Sequence, residues 1–521
     1  MEKSPEQNDK QGIKTEVFHF GQIEKYFLNA RKHDVFQTVS DRTFKDLDLE
    51  DVFRFIDRTW SRVGQQYLYH LMRNIPENGR RREKLERIVA GFQENPALRN
   101  SMTEEISKLN KTDAYYITAL FQEKYLQQPS WFWLIQMLSA ISAISVLLSF
   151  FFPQLLILLI ILLPVNMGIH YWNKNNLHKY GSSIPQLILL NQIALKIWTN
   201  CKIGRESSST QKSIEVLNSM NLAMSVFKIE AKLQSEVGQL IEYLLELIKA
   251  LFLLEPVLLF TTLKMLDSKR QDIENVFDFL GETDAALSIL SLRESSPYSC
   301  QISVETSGKH LKAREVYHPL LFSGVPNSID LREKSALLMG SNMSGKTTFI
   351  RTVGINAILG QTINTCFAKE FALPLTKVHS SIRIADDLFD AKSYYFEEVL
   401  TLKGLIEEST SGDCNLFLLD ELFKGTNSCE RIAIGKSVLS YLTRRNNLVL
   451  VATHDRELAD YLTDTFDLYH FTEVIEKNEI VFDYKIKRGK LTSTNAIRIL
   501  GLNDYPKEII DEALSLSGLC R

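Results

Sequence analysis

SALLMGSNMSGKTTFIRTVG, residues 335–354, runs from a short apolar stretch into a glycine loop and then into a helix-forming stretch. Gly340, four intervening residues and Gly345-Lys346-Thr347 satisfy the pattern G-x-x-x-x-G-K-[ST]. Backbone N–H groups along such a loop wrap phosphate oxygens, the lysine reaches the β- and γ-phosphates, and the hydroxyl after it ligates Mg²⁺. The expected nucleotide-binding residues are therefore Gly340, Ser341, Asn342, Met343, Ser344, Gly345, Lys346, Thr347 and Thr348, with ATP and Mg²⁺ as the cofactors. A second apolar strand, NLFLLDE at 415–421, ends on Asp420, placed to serve the Mg²⁺ with Thr347, and on Glu421, placed to activate water. A third, NNLVLVATHD at 446–455, carries His454 at its carboxyl end, where open α/β sheets meet their ligands. Lys346, Glu421 and His454, the last as a γ-phosphate sensor, form the expected catalytic set.

The rest of the chain is bounded by simpler arguments. At 521 residues it is too long for one core and suggests roughly two to four domains of about 100 to 200 residues. A charged fraction of 24% and a formal net charge of -3 give no global basic excess, so any contact with DNA is local. Cys201, Cys300, Cys366, Cys414, Cys429 and Cys520 are scattered without C-x-x-C pairs, which argues against a disulfide framework or a zinc site and for a reducing compartment. The first residues, MEKSPEQNDKQGIKTE, are polar, lack a signal-peptide core and predict a poorly structured segment over 1–40.

Between Lys124 and Lys174 the chain reads YLQQPSWFWLIQMLSAISAISVLLSFFFPQLLILLIILLPVNMGIHYWN. One helix from Trp131 to Trp172 would be about 63 Å long, twice a hydrocarbon core of ~30 Å. Phe152-Pro153-Gln154 supplies a break, leaving two segments, Trp131 to Phe151 and Gln154 to Tyr171, each near the span length. Leu155 to Leu163 alone contribute about -3 to -5 kcal/mol toward insertion, from which Pro164 and Asn166 subtract. Trp131, Trp133, Tyr171 and Trp172 fall where interfacial aromatics sit, and Lys124, Lys174 and Lys179 flank the pair while the turn has no basic residue. The reading is a transmembrane hairpin at 125–173 in the inner, cytoplasmic membrane, with two spans, lipid as a partner and both ends cytoplasmic. A pair of buried helices in a soluble core is the competing reading. The later patch LFLLEPVLLFTTL, from Leu251, contains Glu255 and Pro256 and reads as core, or interfacial at most.

GSNMSGKTT, IADDLFDAKSYYFEE, DELFKGTN and VATHD, in this order, resemble the ATPase domain of the MutS mismatch-repair family. The resemblance extends to YHPLL at 317–321, to YKIKRGKLTSTNAIRILGL, and to the helix after Pro506. At the front, LEDVFRFIDRTWSRVGQQYLYHLMRNIP, with Asp57, Thr59 and Gly64, is similar to the start of that family's core, and FLGETDAALSIL around Asp284 is similar to the helix that returns to it. The resemblance implies the same phosphate, Mg²⁺, base and sensor residues as above. It also implies a homodimer in which Lys424, Gly425, Thr426, Asn427 and Ser428 touch the neighbouring subunit's nucleotide. This chain departs there: the family commonly reads D-E-x-G-R-G-T-S, and Phe423, Lys424 and Asn427 replace Gly, Arg and Ser. Lysine lacks the planar fork of arginine, so the contact in trans is altered.

Fewer than about fifty residues precede the core-like segment, too few for the family's mismatch-reading and connector domains. Two F-x-E triplets, Phe92-Gln93-Glu94 and Phe121-Gln122-Glu123, fall in helical sequence and read as chance rather than as a mismatch wedge. From Asn218 to Phe252 apolar residues recur at three and four, a helical pattern without a β-rich clamp, and Lys202, Arg205 and Lys212 read as a solvated turn. The expected architecture is multidomain: an all-α core and lever domain interrupted by the transmembrane hairpin, followed by a C-terminal α/β P-loop (ABC-type) ATPase domain. Its expected segments are 41–124 and 174–300 for the helical core and levers, and 301–521 for the ATPase. The expected function is a membrane-anchored, dimeric ATP-hydrolysing switch acting on DNA. An ATP-driven membrane or partner-protein switch without DNA binding, and a scaffold without turnover, stay open.

Overall fold

The computed structural model describes residues 14 and 16–519 apart from 32–33, 202–207, 237–238, 306–307, 322, 342, 384–393, 424–425, 477–478, 492–499 and 501–504. Helices dominate up to Ser295, and strands alternate with helices after it.

The helical core closes around the helix Arg62–Arg73 and the long return helix Arg270–Ser295. Ser61 caps the first by accepting from the Gly64 N–H, satisfying one of its orphan donors. Asp284, fully buried on the return helix, accepts from the N–H groups of Trp60 (2.9 Å) and Ser61 (2.8 Å) and from the Ser61 hydroxyl (2.6 Å). Burial pushes its carboxyl up to about 6 despite those donors. Only glycine fits opposite it, because a Cβ on Gly64 would lie 2.0 Å from Asp284 Oδ2. Asp57, on the same approach, holds Lys14, Thr59 and Gln65. The spacing of Asp57, Thr59, Gly64 and Asp284 is thus one packing device.

Residues 16–40 depart from the expected poorly structured segment. Phe20–Ile23 and Lys25–Asn29 are short helices, and Val35–Thr38 pairs antiparallel with Asn74–Pro76. Ile23, Tyr26 and Phe27 are buried in the core, and their helical spacing with Phe20 is the signal that the polar flanks concealed.

The two apolar helices, Phe132–Ser149 and Leu155–Gly181, are antiparallel neighbours across the break at 150–154. The second continues past its expected end at Tyr171, with Pro164 inside it. Both are long and apolar enough to cross a membrane by length and composition. Their apolar side chains point outward: Leu147 is 67%, Ile160 69% and Ile161 63% exposed, the opposite of a soluble core pair. The inner face carries polar groups beyond the apolar contacts of Ile135 and Leu138. Asn166, fully buried, donates to Ser142 Oγ (3.1 Å) and to the Leu251 carbonyl (2.7 Å), which offsets the cost it imposes on the helix. His170 lies between Glu246 (3.1 Å) and Glu255 (3.4 Å), and Lys249 bridges the same two carboxylates.

The patch from Leu251 is largely core, as expected, with Leu253, Leu259, Phe260 and Leu263 buried. Gln239–Leu251 and Leu254–Asp267 turn beside the hairpin's base, where Ser139 donates to the Phe252 carbonyl and Phe260 packs with Phe132, Ile135 and Leu138. Trp131 and Trp172 meet at a ring separation of 5.0 Å next to Phe260.

The C-terminal part is built on a six-stranded sheet. Its strands are β1 (Ser335–Met339), β2 (Thr376–Ser381), β3 (Cys414–Asp420), β4 (Asn447–Ala452), β5 (Phe466–His470) and β6 (Lys487–Arg488), in spatial order β6-β5-β1-β4-β3-β2. All pairs are parallel except β5 with β6. β1 and β4 are buried throughout, as strands covered on both faces require. A smaller four-stranded sheet pairs Ser303–Glu305, Glu370–Pro374, His310–Val316 and Asn327–Arg332. One continuous hydrophobic cluster joins the helical core to this part, with Leu47 against Gly354 of the helix Lys346–Ile363.

Gly64→Ala tests the packing device. Overpacking against a buried carboxylate should cost about 1–3 kcal/mol, read as a lower melting temperature of the detergent-solubilised chain. An unchanged melting temperature would contradict it.

Candidate functional site

Parallel register brings the carboxyl ends of three strands together. Ala452 of β4 pairs with Asp420 of β3 and with Leu338 of β1, and the Thr453 N–H continues the ladder to the Leu338 carbonyl. The loop after β1, the Asp420-Glu421 pair and His454 therefore emerge at one edge.

The loop owes its shape to two glycines with left-handed φ, Gly340 at +149° and Gly345 at +106°. A Cβ on Gly340 would meet Ser344 Oγ at 2.7 Å and the Phe471 carbonyl at 2.9 Å. Gly345 is the N-cap of the helix Lys346–Ile363, so that helix points its positive end into the loop. Ser344 is buried and donates to the Ser341 carbonyl, Ser341 donates to Glu473, and Met343 stands out in solvent at φ +73°. Lys346 folds back onto the carbonyls of Gly340 (2.7 Å) and Ser341 (2.9 Å). Thr347 Oγ1 donates to Asp420 Oδ2 at 2.5 Å. These are hard oxygen donors side by side, the set a Mg²⁺ ion favours.

Glu421 follows with φ +48°, its N–H bonded to the Ala452 carbonyl and its carboxylate 3.2 Å from His454 Nδ1. Asp455, next to His454, is held by Arg431 in a two-nitrogen pair (2.8 and 3.0 Å). Lys346, Thr347, Thr348, Asp420 and Glu421 line one cavity of about 670 Å³, together with Ser341, Met343 and Gly345. His454 is half exposed and reaches the cavity through Glu421. Asn342, Lys424 and Gly425 lie outside the described residues.

Phe423, Thr426 and Asn427, after Glu421, are each held by a specific contact. Phe423 takes φ +60°, a conformation glycine adopts freely, and is held there by burial against Tyr395 and by Glu398, which accepts from its N–H. Asn427 caps the helix Ser428–Leu442 by accepting from the Glu430 N–H, work that a serine does equally well. Asn427 and Ser428 are exposed, and Thr426 donates to Glu430.

The far wall of the cavity was not legible as a site. Tyr317, His318, Val325, Phe471 and Tyr484 line it. Burial, and then the charge of Arg351, push the His318 imidazole down to about 4, so it is neutral at physiological pH. Its Nδ1 accepts from the Leu320 N–H. A neutral ring among aromatic and apolar side chains suits a flat base. YHPLL contains two of these residues, but the others come from distant loops. Phe92 and Phe121 are buried in the helical core, so neither F-x-E triplet presents a wedge.

Residues 336–518 match the family model described as MutS domain V. A DNA mismatch repair protein MutS of Thermus thermophilus is 29% identical over 213 residues, 40% of this chain and 26% of that protein. The MutS of Listeria welshimeri is 29% identical over 271 residues, 49% of this chain and 31% of that protein. The MutS of Listeria monocytogenes is 30% identical over 248 residues, 45% of this chain and 28% of that protein. The matches thus span between a quarter and a third of the length of these relatives.

Gly340→Ala forces a side chain into a conformation and a space that exclude it. It should weaken binding of a fluorescent ATP analogue by at least about tenfold, equivalent to 1.4 kcal/mol, as measured by titration. Wild-type affinity would show that the loop does not form the phosphate cradle.

Proposed function

From the premise that the chain belongs to the MutS family through its domain V, we propose that it is a membrane-anchored ATPase that works as a conformational switch. The carrying observation is the convergence of Lys346, Thr347, Asp420 and Glu421 on one cavity at the carboxyl ends of parallel strands. In this reading the loop 340–348 receives the phosphates of ATP. Lys346 exchanges two backbone carbonyls for the β- and γ-phosphates, and the wall of Tyr317, His318 and Tyr484 takes the base. Bound Mg²⁺ would neutralise charge developing on the transferred phosphoryl group, with Thr347 and Asp420 as its protein ligands. Glu421, held by His454, orients and deprotonates the attacking water, and His454 senses the γ-phosphate.

Thr426, Asn427 and Ser428, with Lys424 and Gly425, are the surface proposed to meet a second copy's nucleotide in a homodimer. The hairpin Phe132–Gly181 supplies the membrane anchor, supported by its outward apolar faces and its inward polar groups. Because its base is bonded to the helices Gln239–Leu251 and Leu254–Asp267, and these lead into the return helix, nucleotide-dependent movement of the core is transmitted to it.

DNA is the proposed target by analogy with the relatives' names, which call them DNA mismatch repair proteins. A switch acting on a membrane partner without DNA is the second reading, favoured by the hairpin's place beside the lever helices.

The test is ATP turnover of the chain reconstituted in liposomes, with Glu421→Gln as the control. The substitution should lower turnover by at least about 100-fold, and wild-type turnover no higher than the control would overturn the ATPase. Acceleration by homoduplex, mismatched or branched DNA supports the DNA reading. Dependence on lipid with indifference to every DNA supports the second.

A further inference from the structure

A second cavity of about 360 Å³ lies in the seam between the helical core and the sheet domain. Phe55, Arg58 and Ser295 to Tyr298 wall it from one side, and Tyr317, Pro319, Leu321 and Pro326 from the other. Tyr317 and Leu321 are shared with the candidate nucleotide cavity, so the two are neighbours behind a common wall.

Arg58 is the feature that needs explaining. It is only 5% exposed, and among the described residues its Nε and Nη1 atoms are buried without a hydrogen-bond partner. The backbone is fixed, since the Arg58 N–H donates to Ser288 Oγ at 2.8 Å. The carboxylate next in sequence is occupied: Asp57 holds Lys14, Thr59 and Gln65. Among the described residues, none that lines the cavity is acidic. The guanidinium rests over the Phe55 ring at 5.4 Å, a contact that supports a cation but leaves its N–H groups unmet. Burial pulls its pKa down to about 10, so it is still charged at neutral pH. Asp57 acts on it only through its charge, and a buried guanidinium whose Nε and Nη1 are unmet is strongly unfavourable, so native structures meet such groups with a partner. The remaining walls are flat and apolar. Tyr298 and Tyr317 pack edge to face at 5.0 Å, and their hydroxyls are spent on the carbonyls of Glu315 and Tyr298.

We propose that this cavity binds a small flat anion whose carboxylate or phosphate oxygens pair with Arg58 and whose ring lies among Phe55, Tyr298 and Tyr317. Since its walls belong to both the core and the sheet domain, occupancy clamps the seam beside the nucleotide cavity. The site requires no ATP hydrolysis, so it and the proposed ATPase stand or fall separately.

The test uses the detergent-solubilised full chain and three probes: benzoate, phenyl phosphate and the neutral benzamide, titrated to about 10 mM by ligand-observed saturation-transfer NMR. At least one anion should bind at least about tenfold more tightly than benzamide, and Arg58→Met should abolish that preference. The stronger anion tells a carboxylate site from a phosphate site. Lys346→Ala should leave the preference intact, and its loss there would assign the anion to the nucleotide cavity and overturn the proposal. Without probe, Arg58→Met should melt no lower than wild type, since it removes a buried guanidinium with unmet N–H groups. Should that variant not fold, Arg58→Lys, which keeps the charge without the fork, should weaken the better anion by about tenfold. Equal binding of anions and benzamide, or wild-type anion binding in either variant, contradicts the site.

Discussion

The buried carboxylate of Asp284 against Gly64 holds the molecule together across its longest excursion. Trp60 and Ser61 donate to a residue more than two hundred positions later in the chain. Between them run the hairpin and the lever helices, which need a closed core to depart from and return to. A side chain at 64 or an apolar residue at 284 would leave orphan N–H groups or a void where the two halves meet. The contact makes the front of the core and its return helix one packed body.

Three further contacts carry that body to the sheet domain. Asp46, buried at the end of a core helix, accepts from the Ser380 hydroxyl and from the N–H groups of Ile382 and Arg383, just beyond β2. Asp48 pairs with Arg351 on the helix that follows the glycine loop and with Arg383. Arg293, near the end of the return helix, forks onto Glu86 and donates to the Asn364 carbonyl at the far end of that same loop helix. The helix whose N-terminus faces the glycine loop is thus gripped by the core at both ends. One continuous buried cluster fills the interface between that helix and the core.

Much of this was legible in sequence, for identifiable reasons. The glycine loop is legible because its backbone conformations exclude other residues, so Gly340 and Gly345 are fixed by geometry. The hairpin break is legible because a proline between two apolar segments stops a helix, although the second helix ran on to Gly181 through residues whose polarity suggested an end. Phe20, Ile23, Tyr26 and Phe27 were hidden because four apolar residues amid charged flanks weigh little in composition yet bury well. The wall of Tyr317, His318, Phe471 and Tyr484 is assembled from loops that sequence cannot bring together. Asn427 looked like a loss relative to the family's serine, and the structure shows asparagine serving there as a helix cap. Arg58 gave no sign at all, since a missing partner is visible only in three dimensions.

The central claim is that the apolar pair spans a membrane and returns, with the core and sheet domain on the cytoplasmic side. It is tested most directly by placing single cysteines at Phe151, in the turn, and at Lys174, beyond the second span, and labelling intact cells with a membrane-impermeant maleimide. The account predicts that the cysteine at 151 reacts in intact cells and the one at 174 only after permeabilisation. Equal labelling of both positions, or protection of 151 until the cells are opened, would contradict it.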